Sequence, residues 1–138
     1  MKTIKINAQK CVGCHLCEMA CSFKHHEEFS AILSNIRIQS VEDMAENTPS
    51  NCIQCGYRYC INACPVDALS IDEKTGAVIV DQDNCIKCEQ CIKACVYKGV
   101  RLIKKDNELQ ISICDLCDGN PECLKVCREK AVTYAYVY

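Results

Sequence analysis

The stretch Cys11–Cys21, CVGCHLCEMAC, places four thiols in eleven residues, and its spacing returns three more times along the chain. The quartets are Cys11, Cys14, Cys17, Cys21; then Cys52, Cys55, Cys60, Cys64; then Cys85, Cys88, Cys91, Cys95; and last Cys114, Cys117, Cys123, Cys127. They account for all 16 cysteines of the 138 residues. The first and third quartets read C-x2-C-x2-C-x3-C, the second widens its middle gap to four residues and the fourth to five. Every quartet closes with C-x3-C.

The rest of the chain is ordinary in composition, with 49% hydrophobic residues, 25% charged residues, a formal net charge of −2 and no Trp. The N-terminus MKTIKINAQK lacks a signal-peptide core, and no run nears the ~20 apolar residues of a membrane-spanning helix. A soluble cytoplasmic protein is therefore expected, with neither membrane insertion nor a nucleic-acid partner. In a reducing compartment thiols at this density point to metal rather than to disulfides. Structural zinc takes two Cys knuckles separated by a longer loop, and a third cysteine three residues on has no place in that tetrahedron. The run C-x2-C-x2-C-x3-C is instead the spacing of bacterial ferredoxins, in which the fourth cysteine ligates the other cluster of a pair. Three thiolates on a tight loop cap three corners of a [4Fe-4S] cube, while the fourth points the opposite way. Quartets then work in pairs, and four quartets predict four [4Fe-4S] clusters.

Between the ligand runs the chain alternates as short strands do. Ala68 to Ile71 and Ala77 to Val80 read as a hairpin with its turn at Glu73 to Gly76, and Val100 to Ile103 with Leu109 to Ile113 repeats the design. Ile4 to Ile6, Ile36 to Val41 and Val132 to Val137 are also strand-like, and short helical turns are expected at the closing C-x3-C steps. The class predicted is α+β, dominated by loops around metal, with cluster binding supplying much of the folding free energy. The hairpin between the second and third quartets makes these the natural inner pair, leaving the first and fourth as an outer pair closed across the termini. Pairing first with second is the alternative, disfavoured by the long, less strand-like stretch from Ser22 to Asn51.

The segments CIQCGYRYCINACPVDAL, CIKCEQCIKAC and CDLCDGNPECLKVC, in this order, resemble the four-cluster polyferredoxin subunits of molybdenum and tungsten pterin oxidoreductases. That group includes iron-sulfur subunits of dimethyl sulfoxide reductase-type enzymes and formate dehydrogenases. The length and the CHLCEMACSFKH start are most like the small partners of tungsten aldehyde oxidoreductases. The resemblance implies two interleaved ferredoxin-like units, an outer one of residues 1–47 plus 105–138 and an inner one of residues 48–104. It implies four ligand sets: Cys11, Cys14, Cys17, Cys127; then Cys114, Cys117, Cys123, Cys21; then Cys52, Cys55, Cys60, Cys95; and Cys85, Cys88, Cys91, Cys64. The chain departs from the pattern in that only Cys64 is followed by proline, with Ser22, Val96 and Arg128 in the equivalent places.

The function implied is relay of single electrons between a pterin-containing catalytic subunit and a further redox subunit or ferredoxin, with no substrate site of its own. A freestanding shuttle is the alternative, and assembly with further copies stays open. Four oxidised clusters with their thiolates would bring the net charge from −2 to about −10. Lys87, Lys93, Lys98 and Arg101 near the third quartet, Arg58 in the second, and Lys125, Arg128 and Lys130 in the fourth are therefore candidate tuning cations. His15, His25 and His26 are expected to be exposed and non-ligating, since sixteen cysteines fill sixteen sites. Tyr134, Tyr136 and Tyr138 would share one strand face, either packed on the core or free for docking.

Overall fold

Residues four apart lie one above the other on a helix, so a C-x3-C step needs little more than one helical turn. In the computed structural model, which describes residues 2–40 and 47–136, all four steps are helical. Helix α1 (Leu16–His26) carries Cys17 and Cys21. The other three, α2 (Tyr59–Ala63), α3 (Gln90–Ala94) and α4 (Glu122–Val126), each carry the third cysteine of a quartet and end with the fourth as C-cap. A tight turn at Leu116–Gly119, left-handed at Leu116, Cys117 and Asp118, takes up the wider gap of the last quartet.

Among the described residues the strands pair into four separate two-stranded antiparallel ladders. Ladder β1 (Lys2–Ile6) with β8 (Val132–Tyr136) ties the two ends of the chain together, with Ile4 opposite Tyr134. Strands β2 (Arg37–Ser40) and β3 (Asn47–Ser50) form the second ladder. Strands β4 (Leu69–Ile71) and β5 (Val78–Val80) make the hairpin between the second and third quartets, its turn closed by a bond from the Gly76 N–H to the Asp72 carbonyl. The longest ladder, β6 (Val100–Lys105) with β7 (Glu108–Ile113), turns at Asp106–Asn107. Helix α1 packs on α4, and α2 on α3. The architecture is α+β.

Two apolar clusters fill the interior, and cysteines belong to both. One joins Ile4, Ile36, Ile38, Leu116 and Val132 with Cys17, Cys21 and Cys123. The other joins Leu69, Val78, Val100, Ile111 and Ile113 with Cys52, Cys60 and Cys91. Cys114 packs against both. Burying a side chain such as Ile4 contributes roughly 1.5–3 kcal/mol, but these short ladders offer few such residues.

Three features differ from expectation. Helix α1 runs three turns rather than one, past Cys21 through buried Ser22, whose hydroxyl donates to the Met19 carbonyl and accepts from the Ser30 N–H. Strand β3, NTPS, has no apolar alternation and exists through its pairing with β2. Of the strands expected at Ile36–Val41 and Val132–Val137, Val41 and Val137 lie outside the described residues, as does Tyr138. Tyr134 packs partly on the first apolar cluster while Tyr136 is exposed, and the Lys2 ammonium lies 5.2 Å and 5.3 Å from the two ring centres. Those two tyrosines are thus divided between core and surface.

Candidate metal centre

In each quartet the residue two after the first cysteine takes a left-handed backbone: Gly13, Gln54, Lys87 and Leu116. Three of these are not glycine, and such conformations cost energy that the surroundings must offset. A second left-handed residue precedes the third cysteine's helix at His15, Arg58 and Glu89, and a third follows the fourth cysteine by three at Asp67, Lys98 and Lys130. Together they curl each loop so that sulfur and backbone N–H face one centre. The N–H groups of Gln54 and Lys87 donate to the Sγ atoms of Cys52 and Cys85 at 3.4 Å. Those of Ala68 and Gly99 donate to Cys64 and Cys95 at 3.3 Å and 3.4 Å, and that of Asn35 to Cys21 at 3.3 Å.

Four cavities result, each bordered by four cysteines. Cys11, Cys14, Cys17 and Cys127 line one, together with Val12, Leu16 and Arg128. A second is lined by Cys21, Cys114, Cys117 and Cys123, a third by Cys52, Cys55, Cys60 and Cys95, and a fourth by Cys64, Cys85, Cys88 and Cys91. Three cysteines in each come from one quartet and one from another.

The donor chemistry fits a metal centre of high positive charge. Burial pushes the thiols of Cys17, Cys52 and Cys123 up to about 12 and that of Cys91 up to about 11. Cys114 is likewise raised by burial, well above the usual thiol range. Thiolates at such places need a strong local cation, and a coordinating metal is one. Hydrogen bonds from backbone N–H to sulfur are also among the means by which proteins tune iron-sulfur centres. All sixteen cysteines are free of disulfides.

The framework holding these loops is polar and buried. Gln54 donates to the Cys114 carbonyl at 2.7 Å, while its Oε1 accepts from the Val78 N–H at 3.1 Å and from Arg58 at 3.0 Å. Arg58 donates in turn to the Gly76 carbonyl at 2.7 Å. Asn51 donates to the carbonyls of Ile4 and Cys52. Gly99 lies against Cys52 so closely that an added Cβ would stand 2.6 Å from its Cα. Among the candidate cations, Arg58 is buried and Arg101 half-buried, whereas Lys93, Lys98, Lys125, Arg128 and Lys130 are exposed, with Lys125 paired to Glu122. Lys87 reaches the Gln82 carbonyl at 3.1 Å.

The histidines are not the exposed residues expected. All three are half-buried, and two are bonded to the ligand loops. His15 pairs with buried Glu18, which also accepts from the Ile38 N–H. His25 donates to the Cys21 carbonyl at 2.8 Å and to Asp115 at 2.9 Å, and these bonds, Asp115 first, raise it to about 11. Cys21 is raised by burial, but the bond from His25 and its charge outweigh that and lower it. His25, Asp115 and Cys117 offer ligand atoms within 4.8 Å of one another, so a histidine does reach the second cavity. The i, i+4 spacing of Cys21 and His25 on one helix was the available signal; the distant Asp115 was not.

Comparison with known proteins agrees with this chemistry. Two family descriptions, each of a 4Fe-4S dicluster domain, match residues 3–65 and 51–98. The polyferredoxin-like subunit of aliphatic sulfonate oxidoreductase from Pyrococcus furiosus is 44% identical over 91% of this chain and 71% of its own length. The putative electron transport protein YsaA of Escherichia coli is 36% identical over 91% of this chain and 84% of its own length. Among solved structures, a chain of the active site complex BamBC of benzoyl coenzyme A reductase superposes with TM-score 0.53 at 26% identity, over 100% of this chain and 81% of that one. Fold and site thus define an iron-sulfur electron-transfer protein built on the ferredoxin pattern. The chain belongs to the 4Fe-4S polyferredoxin family of oxidoreductase electron-transfer subunits, and its cysteines serve four [4Fe-4S] clusters. Among the described residues no helix is long and apolar enough to cross a membrane.

Proposed function

We propose that this chain relays electrons between a catalytic subunit bearing a tungsten or molybdenum pterin and a further redox subunit or ferredoxin, and has no substrate site of its own. The ligand sets proposed are the four that border the cavities, which makes the fold two interleaved units, residues 1–47 plus 105–138 around residues 48–104. The work is placed in the cytoplasm, in keeping with thiols held free in a reducing compartment. Each bound cluster supplies one-electron exchange; the chain's part is to hold, space and insulate.

The observation that carries the reading is the order of the sites. Cys17 of the first set shares one apolar cluster with Cys21 and Cys123 of the second, Gln54 between Cys52 and Cys55 of the third donates to the carbonyl of Cys114 of the second, and Cys60 of the third shares the other apolar cluster with Cys91 of the fourth. The four sets therefore form a row, numbered here one to four. Cys14 and Cys88 are the exposed cysteines, one in each end set, whereas the middle sets have none. Exposed Val12 and Leu16 flank Cys14, and exposed Ile86 lies beside Cys88, which gives both ends an apolar rim for contact. Support for an oxidoreductase partner comes from the sulfonate oxidoreductase and benzoyl coenzyme A reductase complexes in which similar chains occur. The test is anaerobic purification at native concentration with metal analysis. A co-purifying subunit containing tungsten or molybdenum is expected; a monomer would favour the free shuttle instead.

A further inference from the structure

Arg101 is the second residue of β6, where it stands opposite Ser112 of β7, and its guanidinium bonds to two backbone carbonyls distant in sequence. One arm, Nη1, donates to the Asn35 carbonyl at 3.1 Å, and the other, Nη2, donates to the Ser50 carbonyl at 2.9 Å. Neither acceptor is incidental. Asn35 is buried, its N–H donates to Cys21 Sγ, and its side-chain Oδ1 accepts from Ser112. Ser50 is linked to the other site: its hydroxyl donates to the Lys98 carbonyl at 2.9 Å, and the next residue, Gly99, donates its N–H to Cys95 Sγ. Ser50 also leads through Asn51 into Cys52, against which Gly99 packs. A single planar cation thus joins Asn35, which supplies a donor to Cys21 in the second set, to Ser50, whose hydroxyl is bonded to the loop that supplies a donor to Cys95 in the third. A guanidinium suits this role because its fork holds two carbonyls in fixed directions, which an ammonium cannot do.

We infer that Arg101 is a positioning and charge-compensating residue shared by the two middle clusters, holding their sulfur hydrogen-bond donors in place and raising both reduction potentials. The inference rests on the ligand sets proposed above. A fixed positive charge near two anionic centres favours their reduced forms, which carry one more negative charge each, and in a half-buried position water screens it little. Arg101 remains charged at neutral pH: burial and the nearby Arg37 lower it only to about 10, while Glu18, Cys21 and Cys95 act to keep it protonated. Arg58, by comparison, bonds to Gln54 and the β4–β5 turn, so the two arginines serve different joints.

The experiment compares the wild-type chain, Arg101→Gln and Arg101→Lys, each loaded with clusters anaerobically, by iron content and by EPR-monitored redox titration. Wild-type iron content is measured first; a value short of about sixteen per chain would fault the ligand sets rather than the role of Arg101. With full iron, Arg101→Gln is expected to lower two of the four midpoints, each by about tenfold in equilibrium constant or about 59 mV, and to leave two unmoved. Arg101→Lys, which keeps the charge but not the fork on the Asn35 and Ser50 carbonyls, is expected to bring those two only part of the way back. Full iron with four unmoved midpoints in Arg101→Gln overturns the inference, and so does a shift common to all four. Should Arg101→Gln fail to load, full iron in Arg101→Lys with those two midpoints alone lowered, by less than about 59 mV, would support it, whereas four unmoved midpoints there, or iron loss in both variants, would overturn it.

Discussion

The two middle sets and the two end sets proposed above share one spacing rule but differ in exposure, each middle set having two buried cysteines and each end set one buried and one exposed. In the middle, no cysteine is exposed, Cys21, Cys52, Cys60 and Cys123 are buried, Gln54 crosses from one quartet to the Cys114 carbonyl of another, Asn51 ties the Cys52 loop to β1, and Arg101 joins Asn35 to Ser50. At the ends, Cys14 and Cys88 face solvent, and charged neighbours such as Arg128 and Lys93 lie in water. The difference teaches that a relay needs insulation at its centre and access at its termini, and that one loop design delivers both according to what packs on it. It also locates fold stability: the middle is where cysteines of the two apolar clusters meet, at Cys114.

The largest effect expected is that of removing the metal. Because cysteines belong to both apolar clusters and the ladders are short, anaerobic chelation of iron should leave a largely unfolded chain, read as collapse of NMR dispersion. Native-like dispersion without iron would show that the polar framework alone holds the middle. Next comes a paired comparison of Cys114→Ala with Cys88→Ala. The first should cost the second cluster and destabilise the junction, whereas the second should retain about twelve irons per chain and a folded core, as iron analysis and thermal unfolding would reveal. Equal losses would erase the distinction between middle and end. Gly99→Ala drives a Cβ to 2.6 Å from the Cys52 Cα, so the holoprotein should lose about 1–3 kcal/mol in thermal unfolding. The smallest effect is Lys93→Glu at the fourth set. Exposure and salt screening should hold the fall in that cluster's midpoint below about 59 mV, less than Arg101→Gln causes in the middle.

Much of the site was legible because spacing is itself a geometric statement. Three thiols at C-x2-C-x2-C must converge, a C-x3-C step must turn once, and both held even where the second and fourth quartets stretch their middle gaps. The hairpins were legible from alternation, as in β6 and β7, whose ends extend past expectation because Lys104, Lys105 and Glu108 add ladder bonds without apolar side chains. What escaped has a common cause: it depends on partners distant in sequence. Strand β3 has no pattern of its own; His25 is fixed by Asp115, ninety residues away; and Gln54, a polar residue between two cysteines, is buried only because Cys114 and Val78 close on it. Ser22 was noticed as a missing proline, yet the helix continuing through it to His26, and its bonds to Met19 and Ser30, became visible only in the fold.

The most direct test is a joint determination of iron, acid-labile sulfide and zinc in anaerobically isolated protein, with EPR of the reduced state. About sixteen irons and as many sulfides per chain, without zinc, and spectra of magnetically interacting neighbours are the result predicted for four cubes in a row. Stoichiometric zinc, disulfides among the sixteen cysteines, or an iron content fitting only two clusters would contradict it.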